Sequence, residues 1–176
     1  MAITQIDATG TVEVILNPGD FHFHCPTPGA PQVTKLRTLL GSCVSIILWH
    51  PERRLAGMSH AVLPRRSRRG AVGRLEGRFC DESVALFLHE LSRIGTRPQY
   101  FHVYLVGGAQ MYLMRNETLS IGDRNVEAAR SLLKQAGFLI RAEHVGMNDY
   151  RKVELDLNSG DVTVVCASRR VRLSTG

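Results

Sequence analysis

The stretch GSCVSIILWHPERRLAGMSH, residues 41–60, decides the fold that the sequence predicts. Two apolar runs, Val44 to Trp49 and Leu55 to Met58, lie on either side of the Pro-containing break His50-Pro51-Glu52-Arg53. β-Branched and aromatic residues that flank such a break are typical of a β-hairpin. The stretch therefore predicts two neighbouring antiparallel strands.

The register of this hairpin sets how close Cys43 and His60 lie. If Trp49 and Arg54 close a four-residue loop, Cys43 and His60 face each other across the ladder. Directly opposed side chains have Cβ atoms about 4.5–5.5 Å apart. An imidazole at that distance can take the proton of a thiol, and the thiolate is the nucleophilic form of cysteine. A slip of one residue would put the two on opposite faces, and a buried cysteine is often only a small hydrophobic residue.

Several segments resemble one bacterial family, the CheD chemoreceptor glutamine deamidases. The segments TLLGSCVS, residues 38–45, and AGMSHAVLP, residues 56–64, are the most specific of them. Further similar segments lie at residues 77–84, 106–109, 121–128, 145–146 and 158–160. The resemblance covers most of residues 36–167.

In that family a Cys, a His and a Thr form the active site. The resemblance implies Cys43 as the nucleophile and His60 as its base. Some members place the Thr six residues before the Cys, where this chain has Arg37, so Thr38 is the candidate. Thr38 would orient His60 and hold it in one tautomer.

The resemblance also implies a reaction. A glutamine side-chain amide would be hydrolysed through a thioester to glutamate and ammonia, and glutamate methyl esters are a second substrate class. Backbone N–H groups around Gly41, Ser42 and Cys43 are the candidate donors to the oxyanion, because a glycine lets the chain turn there. No metal or organic cofactor is implied. The implied partners are the cytoplasmic helices of chemoreceptors and a CheC-type phosphatase, and the implied fold is that of cytotoxic-necrotising-factor-type deamidases.

Composition favours one globular domain over residues 1–176, since 44% of the 176 residues are hydrophobic. No apolar run approaches the roughly 18 residues of a membrane span, and the N-terminus lacks the features of a signal peptide. The four cysteines have no CxxC spacing, which disfavours a zinc site or a disulfide framework. We expect a cytoplasmic location, because a thiol nucleophile needs a reducing compartment. We also expect a monomer.

The net charge of +6 is concentrated in one basic run, formed by Arg65, Arg66, Arg68 and Arg69. The run is either a solvated loop, a nucleic-acid patch, or the rim of the active site. No aromatic residues interleave with these arginines, which disfavours nucleic acid. As a rim that binds substrate, it would steer acidic receptor helices toward the site.

The remaining elements predict an α+β fold, a layered sandwich of mixed sheets with covering helices. One helix is predicted from Asp81, its N-cap, to Ile94, and a second from Asp123, its N-cap, to Gly137. Further strands are predicted at 11–16, 101–106, 138–145, 151–157 and 161–167. Residues 17–34 and 64–78 are predicted as loops and 168–176 as a frayed tail.

Three alternatives stay open at this point. Cys80, just before the first helix, is a rival nucleophile, because a helix N-terminus lowers a thiol pKa. His22, His24 and Cys25 resemble a metal cluster, although alternation of His with Phe also suits an edge strand. A non-catalytic adaptor that docks on a receptor or a phosphatase would keep the fold without turnover, but it would not need Cys43 and His60.

Overall fold

The computed structural model describes residues 2–6, 11–67, 75–110, 119–167 and 169–173. These residues form two α-helices, α1 Cys80–Arg93 and α2 Ile121–Gln135, and a short 3-10 helix, Pro98–Tyr100. They also form eleven strands: β1 Ile3–Ile6, β2 Val12–Leu16, β3 Phe21–His24, β4 Val33–Leu40, β5 Val44–His50, β6 Leu55–Ser59, β7 His102–Gly107, β8 Ile140–Val145, β9 Arg151–Asp156, β10 Val162–Cys166 and β11 Arg169–Arg172.

The strands form two mixed sheets. The first sheet has the order β1-β2-β4-β9-β10-β11, and the second has the order β3-β6-β5-β7-β8. Each sheet has one parallel pair, β2 with β4 and β7 with β8, among antiparallel neighbours. The predicted sandwich of mixed sheets with helices is confirmed at this level, as a mixed α/β protein with two helices.

Two apolar cores define three layers. One core lies between the two sheets, where Leu36 and Leu40 of the first sheet meet Ile47 and Met58 of the second. The other lies between the second sheet and the helices, where Ile46 and Leu48 meet the apolar faces of α1 and α2. β5 is buried along its whole length. Burial on both faces explains its largely apolar sequence.

The hairpin forms, but its predicted register is wrong by two residues. His50 pairs with Leu55 and Ile47 with Met58, so the loop is residues 51–54 and Arg54 takes a positive φ of 50°. Val44 pairs with Ala61. Because side chains alternate between faces with a period of two, a shift of two residues preserves the face that each side chain occupies.

Four strands, β1, β3, β4 and β11, lie where the sequence predicted loops or gave no element. β3 lies within the predicted loop 17–34. In β4, buried side chains alternate with outward ones, but the Pro-rich stretch before the strand obscures this pattern. The buried residues are Leu36, Thr38 and Leu40, and the outward ones are Lys35 and Arg37. β11 lies within the predicted tail and pairs antiparallel with β10. Its arginine-rich sequence has low strand propensity, so the ladder with β10 decides its conformation.

Both helices begin earlier than predicted. α1 begins at Cys80, and its N-cap is Phe79 with no side-chain cap, so Asp81 lies in the first turn instead. Ser120 is the N-cap of α2, and Asp123 is the third helical residue of a capping box. The carboxylate of Asp123 accepts the Ser120 N–H while the Ser120 hydroxyl accepts the Asp123 N–H. Reciprocal bonding of this kind satisfies two backbone donors at once.

Candidate active site

Thr38 and His60 meet across the core between the two sheets. Thr38 lies on β4 of the first sheet, His60 follows β6 of the second, and both side chains are buried. Thr38 Oγ1 lies 2.7 Å from His60 Nδ1. Arg37 points the other way and binds Glu13 and Glu154 on the outer face of the first sheet. The alternation of β4 therefore brings Thr38, not Arg37, to the histidine.

The Thr38 hydroxyl selects one tautomer of His60. Thr38 Oγ1 also lies 2.9 Å from the Leu16 carbonyl oxygen. A carbonyl can only accept, so the single hydroxyl hydrogen goes to Leu16 and Oγ1 accepts from His60 Nδ1–H. Nε2 is then unprotonated and can accept a proton. Among the described residues, the buried Nε2 has no hydrogen-bond partner.

Cys43 lies on the same side of the second sheet as this pair. It is half-buried and packs against the core between the sheets, where His60 contacts Thr38. With the observed register, His60 falls opposite Ser45, and Cys43 is its diagonal neighbour. The prediction that Cys43 and His60 are directly opposed is wrong. The observed register nevertheless places both side chains on the same face of the second sheet, as predicted. No hydrogen bond joins them in the described structure.

The resting charge state of the pair is neutral. Burial raises the pKa of the Cys43 thiol, and its own backbone N–H offsets this in part. Burial lowers the pKa of His60, opposed by the Leu16 carbonyl and by the Asp20 carboxylate. Desolvation disfavours the charged form of each group. The two groups are therefore a neutral thiol and a neutral imidazole on one face of the second sheet, rather than a preformed ion pair.

Close backbone packing fixes the loop 41–43 that carries the cysteine. Gly108 N–H donates to the Cys43 carbonyl at 2.7 Å, and Ala109 N–H donates to the Gly41 carbonyl at 2.9 Å. Gly107 has a φ of +116°, and a Cβ there would lie 2.2 Å from the Cys43 carbonyl oxygen. Gly107 at the end of β7 and Gly108 directly after it thus allow the close backbone approach to the cysteine loop.

Asn125 is a site residue that sequence reasoning missed. It is fully buried on α2, and its Nδ2 donates to the carbonyls of Ser42 and Val62, both at 3.0 Å. Ser42 precedes the cysteine, and Val62 follows the histidine by two residues. One amide group therefore ties the two segments together. The only sequence signal was its place within residues 121–128, one of the segments that resemble the family.

The surroundings of Cys80 disfavour it as a nucleophile. Its side chain is fully buried and its Sγ lies 3.8 Å from the Asn125 carbonyl oxygen. Burial, with smaller contributions from Asp81 and Cys43, raises the pKa of this thiol to about 12. Desolvation thus outweighs the helix N-terminus that the sequence suggested would activate it.

The structure divides the basic run. Arg65 is exposed. Arg66 binds both carboxylate oxygens of Glu82, lies 3.7 Å from Glu76, and stacks 4.8 Å above the Phe79 ring. Arg66 is therefore held by acidic groups of its own chain, and its predicted contact with substrate stays a prediction. Arg68 and Arg69 lie outside the described residues.

The described residues lack two further kinds of feature. They contain no group of three or more His, Cys, Asp or Glu side chains arranged to hold a metal ion. Across the same ranges, no helix combines the length and apolar character needed to cross a membrane. His22 and His24 lie instead on β3, which pairs with β6 at the edge of the second sheet.

Fold and site together describe a mixed α/β protein in which a cysteine, a histidine and a threonine meet at the core between two sheets. Residues 62–166 match the family model CheD, described as CheD chemotactic sensory transduction. A "Probable chemoreceptor glutamine deamidase CheD 3" of Dechloromonas aromatica (strain RCB) is 44% identical over 151 residues, 85% of each chain. A "Probable chemoreceptor glutamine deamidase CheD 1" of Chromobacterium violaceum is 44% identical over 154 residues, 86% of this chain and 76% of the relative.

The chain therefore belongs to the CheD family. Among solved structures, a hypothetical protein YfiH of Bacillus licheniformis matches with a TM-score of 0.41 and 16% identity. That match covers 66% of this chain and 52% of the other.

Proposed function

We propose that this chain is a protein-glutamine deamidase that hydrolyses glutamine side-chain amides of chemoreceptors during chemotactic adaptation. One observation carries the proposal. In a chain of the CheD family, Thr38 holds His60 with Nε2 unprotonated, on the side of the sheet where Cys43 lies. This is the arrangement that a thiol nucleophile with a general base requires.

The reaction follows from the neutral pair. His60 Nε2 takes the Cys43 proton as sulfur attacks the amide carbon, so charge develops only during the attack. The tetrahedral intermediate collapses to a thioester, and the imidazolium gives its proton to the departing ammonia. His60 then activates water, which releases glutamate and restores the thiol. Catalytic hydrogen bonds that are long in a free enzyme commonly shorten in the substrate complex, which accommodates the diagonal placement of Cys43.

Thr38 acts on the charge of His60 as well as on its orientation. When His60 is protonated, Nδ1–H still donates to Thr38 Oγ1, and the Thr38 hydroxyl still donates to the Leu16 carbonyl. This relay passes part of the imidazolium charge to a buried carbonyl. A neutral hydroxyl is a weaker partner than the aspartate of a serine triad.

The finer points of the proposal concern partners and kinship. We infer chemoreceptor cytoplasmic helices as substrate, a CheC-type phosphatase as a regulatory partner, a monomer as the working state and the cytoplasm as the location. Glutamate methyl esters are a second substrate class, because the same thioester forms when methanol leaves. Kinship with cytotoxic-necrotising-factor-type deamidases belongs to the same proposal. The exposed Arg65 supports attraction of acidic helices.

An ammonia-release assay with a purified receptor cytoplasmic fragment tests the proposal. The wild type should release ammonia, and Cys43→Ala and His60→Ala should abolish release while circular dichroism shows an intact fold. Mass spectrometry should find a gain of one mass unit at specific glutamines. Receptor binding with no ammonia release by the wild type would instead favour the adaptor, and methanol release from a methylated fragment tests the ester activity separately.

A further inference from the structure

We propose that Asn125 is a positioning residue that aims the backbone N–H groups of Ser42 and Cys43 at the reacting carbonyl, so that these two donors form the oxyanion hole. The inference rests on the proposed deamidase reaction and assigns the donors for it. It depends on which way successive peptide groups of the loop 41–43 face.

The carbonyls of the loop face buried donors. The Gly41 carbonyl accepts from Ala109 N–H at 2.9 Å, and the Ser42 carbonyl accepts from Asn125 Nδ2 at 3.0 Å. Ala109 and Asn125 are both fully buried. Both carbonyls therefore point into the protein.

A trans peptide directs its C=O and its N–H to opposite sides, and no peptide bond among the described residues is cis. The peptide that carries the Gly41 carbonyl also carries the Ser42 N–H. The next peptide carries the Ser42 carbonyl and the Cys43 N–H. Because both carbonyls point inward, both N–H groups point outward, on the half-exposed side of the loop.

Among the described residues, these two N–H groups have no backbone acceptor. Burial raises the pKa of the Cys43 thiol, and the backbone N–H of Cys43 itself opposes that rise. A carbon attacked by that sulfur would place its oxygen near the same N–H. Two preorganised backbone donors beside a nucleophile are the usual form of an oxyanion hole.

Asn125 is the one side chain among these contacts, so it can be changed without altering the backbone donors. Its two carbonyl neighbours, at 3.0 Å each, identify the contacting atom as the amide nitrogen. Its Oδ1 is buried without a hydrogen-bond partner among the described groups. An unpaired buried oxygen destabilises the fold, and an apolar residue would avoid that cost. The position thus needs the two donors of an amide rather than bulk alone.

The experiment compares two reactions of Cys43 in Asn125→Leu and Asn125→Asp. Alkylation by iodoacetamide needs the thiolate but forms no oxyanion, whereas amide hydrolysis needs both. We expect kcat for ammonia release to fall about 10²-fold, in the range for loss of an oxyanion-hole donor. We expect the alkylation rate and KM to change by less than about three-fold, because the nucleophile and the binding surface remain.

Asn125→Asp adds a pH signature. Its carboxylate would face two carbonyls without a donor, but its protonated form can donate to one of them. The ratio of wild-type to variant kcat should therefore shrink as pH falls. Leu133→Ala, which removes a fully buried side chain of α2 that makes none of these contacts, is the control for a merely weakened helix. It should lower Tm and leave kcat unchanged below the transition.

Each outcome decides between named possibilities. Unchanged kcat in both Asn125 variants, or alkylation that falls in parallel with kcat, would overturn the inference. If a variant folds only in part, kcat is expressed per alkylatable Cys43, so that misfolded protein is not counted. Absence of ammonia release from the wild type would refute the proposed function itself, which distinguishes the two failures.

Discussion

Thr38 has one hydroxyl hydrogen, which it donates in a hydrogen bond to the Leu16 carbonyl. Thr38→Val keeps the shape of the side chain but removes the acceptor for His60 Nδ1–H. Nδ1–H would then be buried without a partner, and the other tautomer, which cannot accept the thiol proton at Nε2, would become populated. We expect kcat to fall roughly ten- to a hundred-fold with little change in KM, a part of what general base catalysis contributes. Initial rates of ammonia release measure it. Thr38→Ser should keep most of the activity, and equal losses in both variants would contradict the role of the hydroxyl.

Of the four cysteines, Cys43 should be the one whose alkylation rate depends on His60. Cys80 and Cys166 are buried, so brief iodoacetamide treatment should label Cys43 well ahead of both. Cys25 is half-buried and serves as the internal reference. Burial raises the pKa of Cys43 above the ordinary cysteine value of about 8.5. Its labelling rate should therefore keep rising as the pH passes that ordinary value. Peptide mapping of wild type and His60→Ala should show a slower rate at Cys43 and an unchanged rate at Cys25. Preferential labelling of Cys80 would refute the assignment.

At this scale the hairpin pattern proposed Cys43 and His60, because thiol and imidazole carry the chemistry, whereas only the family resemblance proposed Thr38. Asn125 could not be derived in the same way. Its hydrogen bonds reach residues 83 and 63 positions away in sequence, and an asparagine within a helix has no pattern that announces such partners. Only the packing of α2 against the second sheet brings it there.

At the scale of elements, the junction between β7 and the cysteine loop is the most constrained contact. In Gly107→Ala, the new Cβ would overlap the Cys43 carbonyl, and a φ of +116° is nearly forbidden to alanine. We expect a loss of at least about 3 kcal/mol of folding free energy, from strain and steric overlap together. Urea titration measures it.

Gly95→Ala is the matched control for this prediction. Gly95 also has a positive φ, +65°, but no atom lies within 4 Å of a Cβ there. Its substitution should cost only the left-handed penalty of about 1–2 kcal/mol. Equal losses in the two variants would mean that the contact with the Cys43 carbonyl does not matter.

The basic run should separate into two kinds of arginine. Arg66→Ser removes the partner of the buried Glu82 at the start of α1, so it should lower Tm even at high salt. Arg65→Ser removes an exposed charge, so it should leave Tm unchanged, raise KM for an acidic receptor fragment and weaken the salt dependence of KM. Thermal melts and KM at two ionic strengths distinguish them. Identical behaviour of the two variants would contradict this division.

The hairpin shows what patterns can and cannot predict. The apolar runs and the break predicted both strands of the hairpin, since burial of β5 on two faces leaves an unmistakable composition. The register was wrong because Arg54 adopts a positive φ, which an arginine seldom does. The face of Cys43 was nevertheless predicted, because the error was an even number of residues.

At the scale of the whole molecule, the layers explain why the site needs both sheets. The histidine and the cysteine belong to the second sheet and the threonine to the first, so the core between the sheets must form before Thr38 can reach His60. The sequence predicted helices that cover a mixed sheet. It could not show that β4 enters the first sheet between β2 and β9, because pairing partners far apart in sequence leave no local signal.

The free energy of unfolding should depend on pH through the histidines. Burial lowers the pKa of six of the seven, namely His22, His24, His50, His60, His102 and His144. In the unfolded chain these groups titrate near 6.5, so below that pH the unfolded state binds more protons than the folded state. Their contribution to stability is complete above about pH 6.5 and is lost as pH falls toward the lower folded-state values.

We therefore expect the free energy of unfolding from urea titrations to decrease between pH 7.5 and pH 5.5, above the range in which carboxylates titrate. His22→Leu removes a half-buried histidine whose buried Nε2 has no hydrogen-bond partner among the described residues, so the decrease should become smaller. His89→Gln is the control, because the His89 side chain is 70% exposed, and it should leave the decrease as it is in the wild type. A stability that stays constant or rises over this interval would mean that the histidines are not held neutral by the fold.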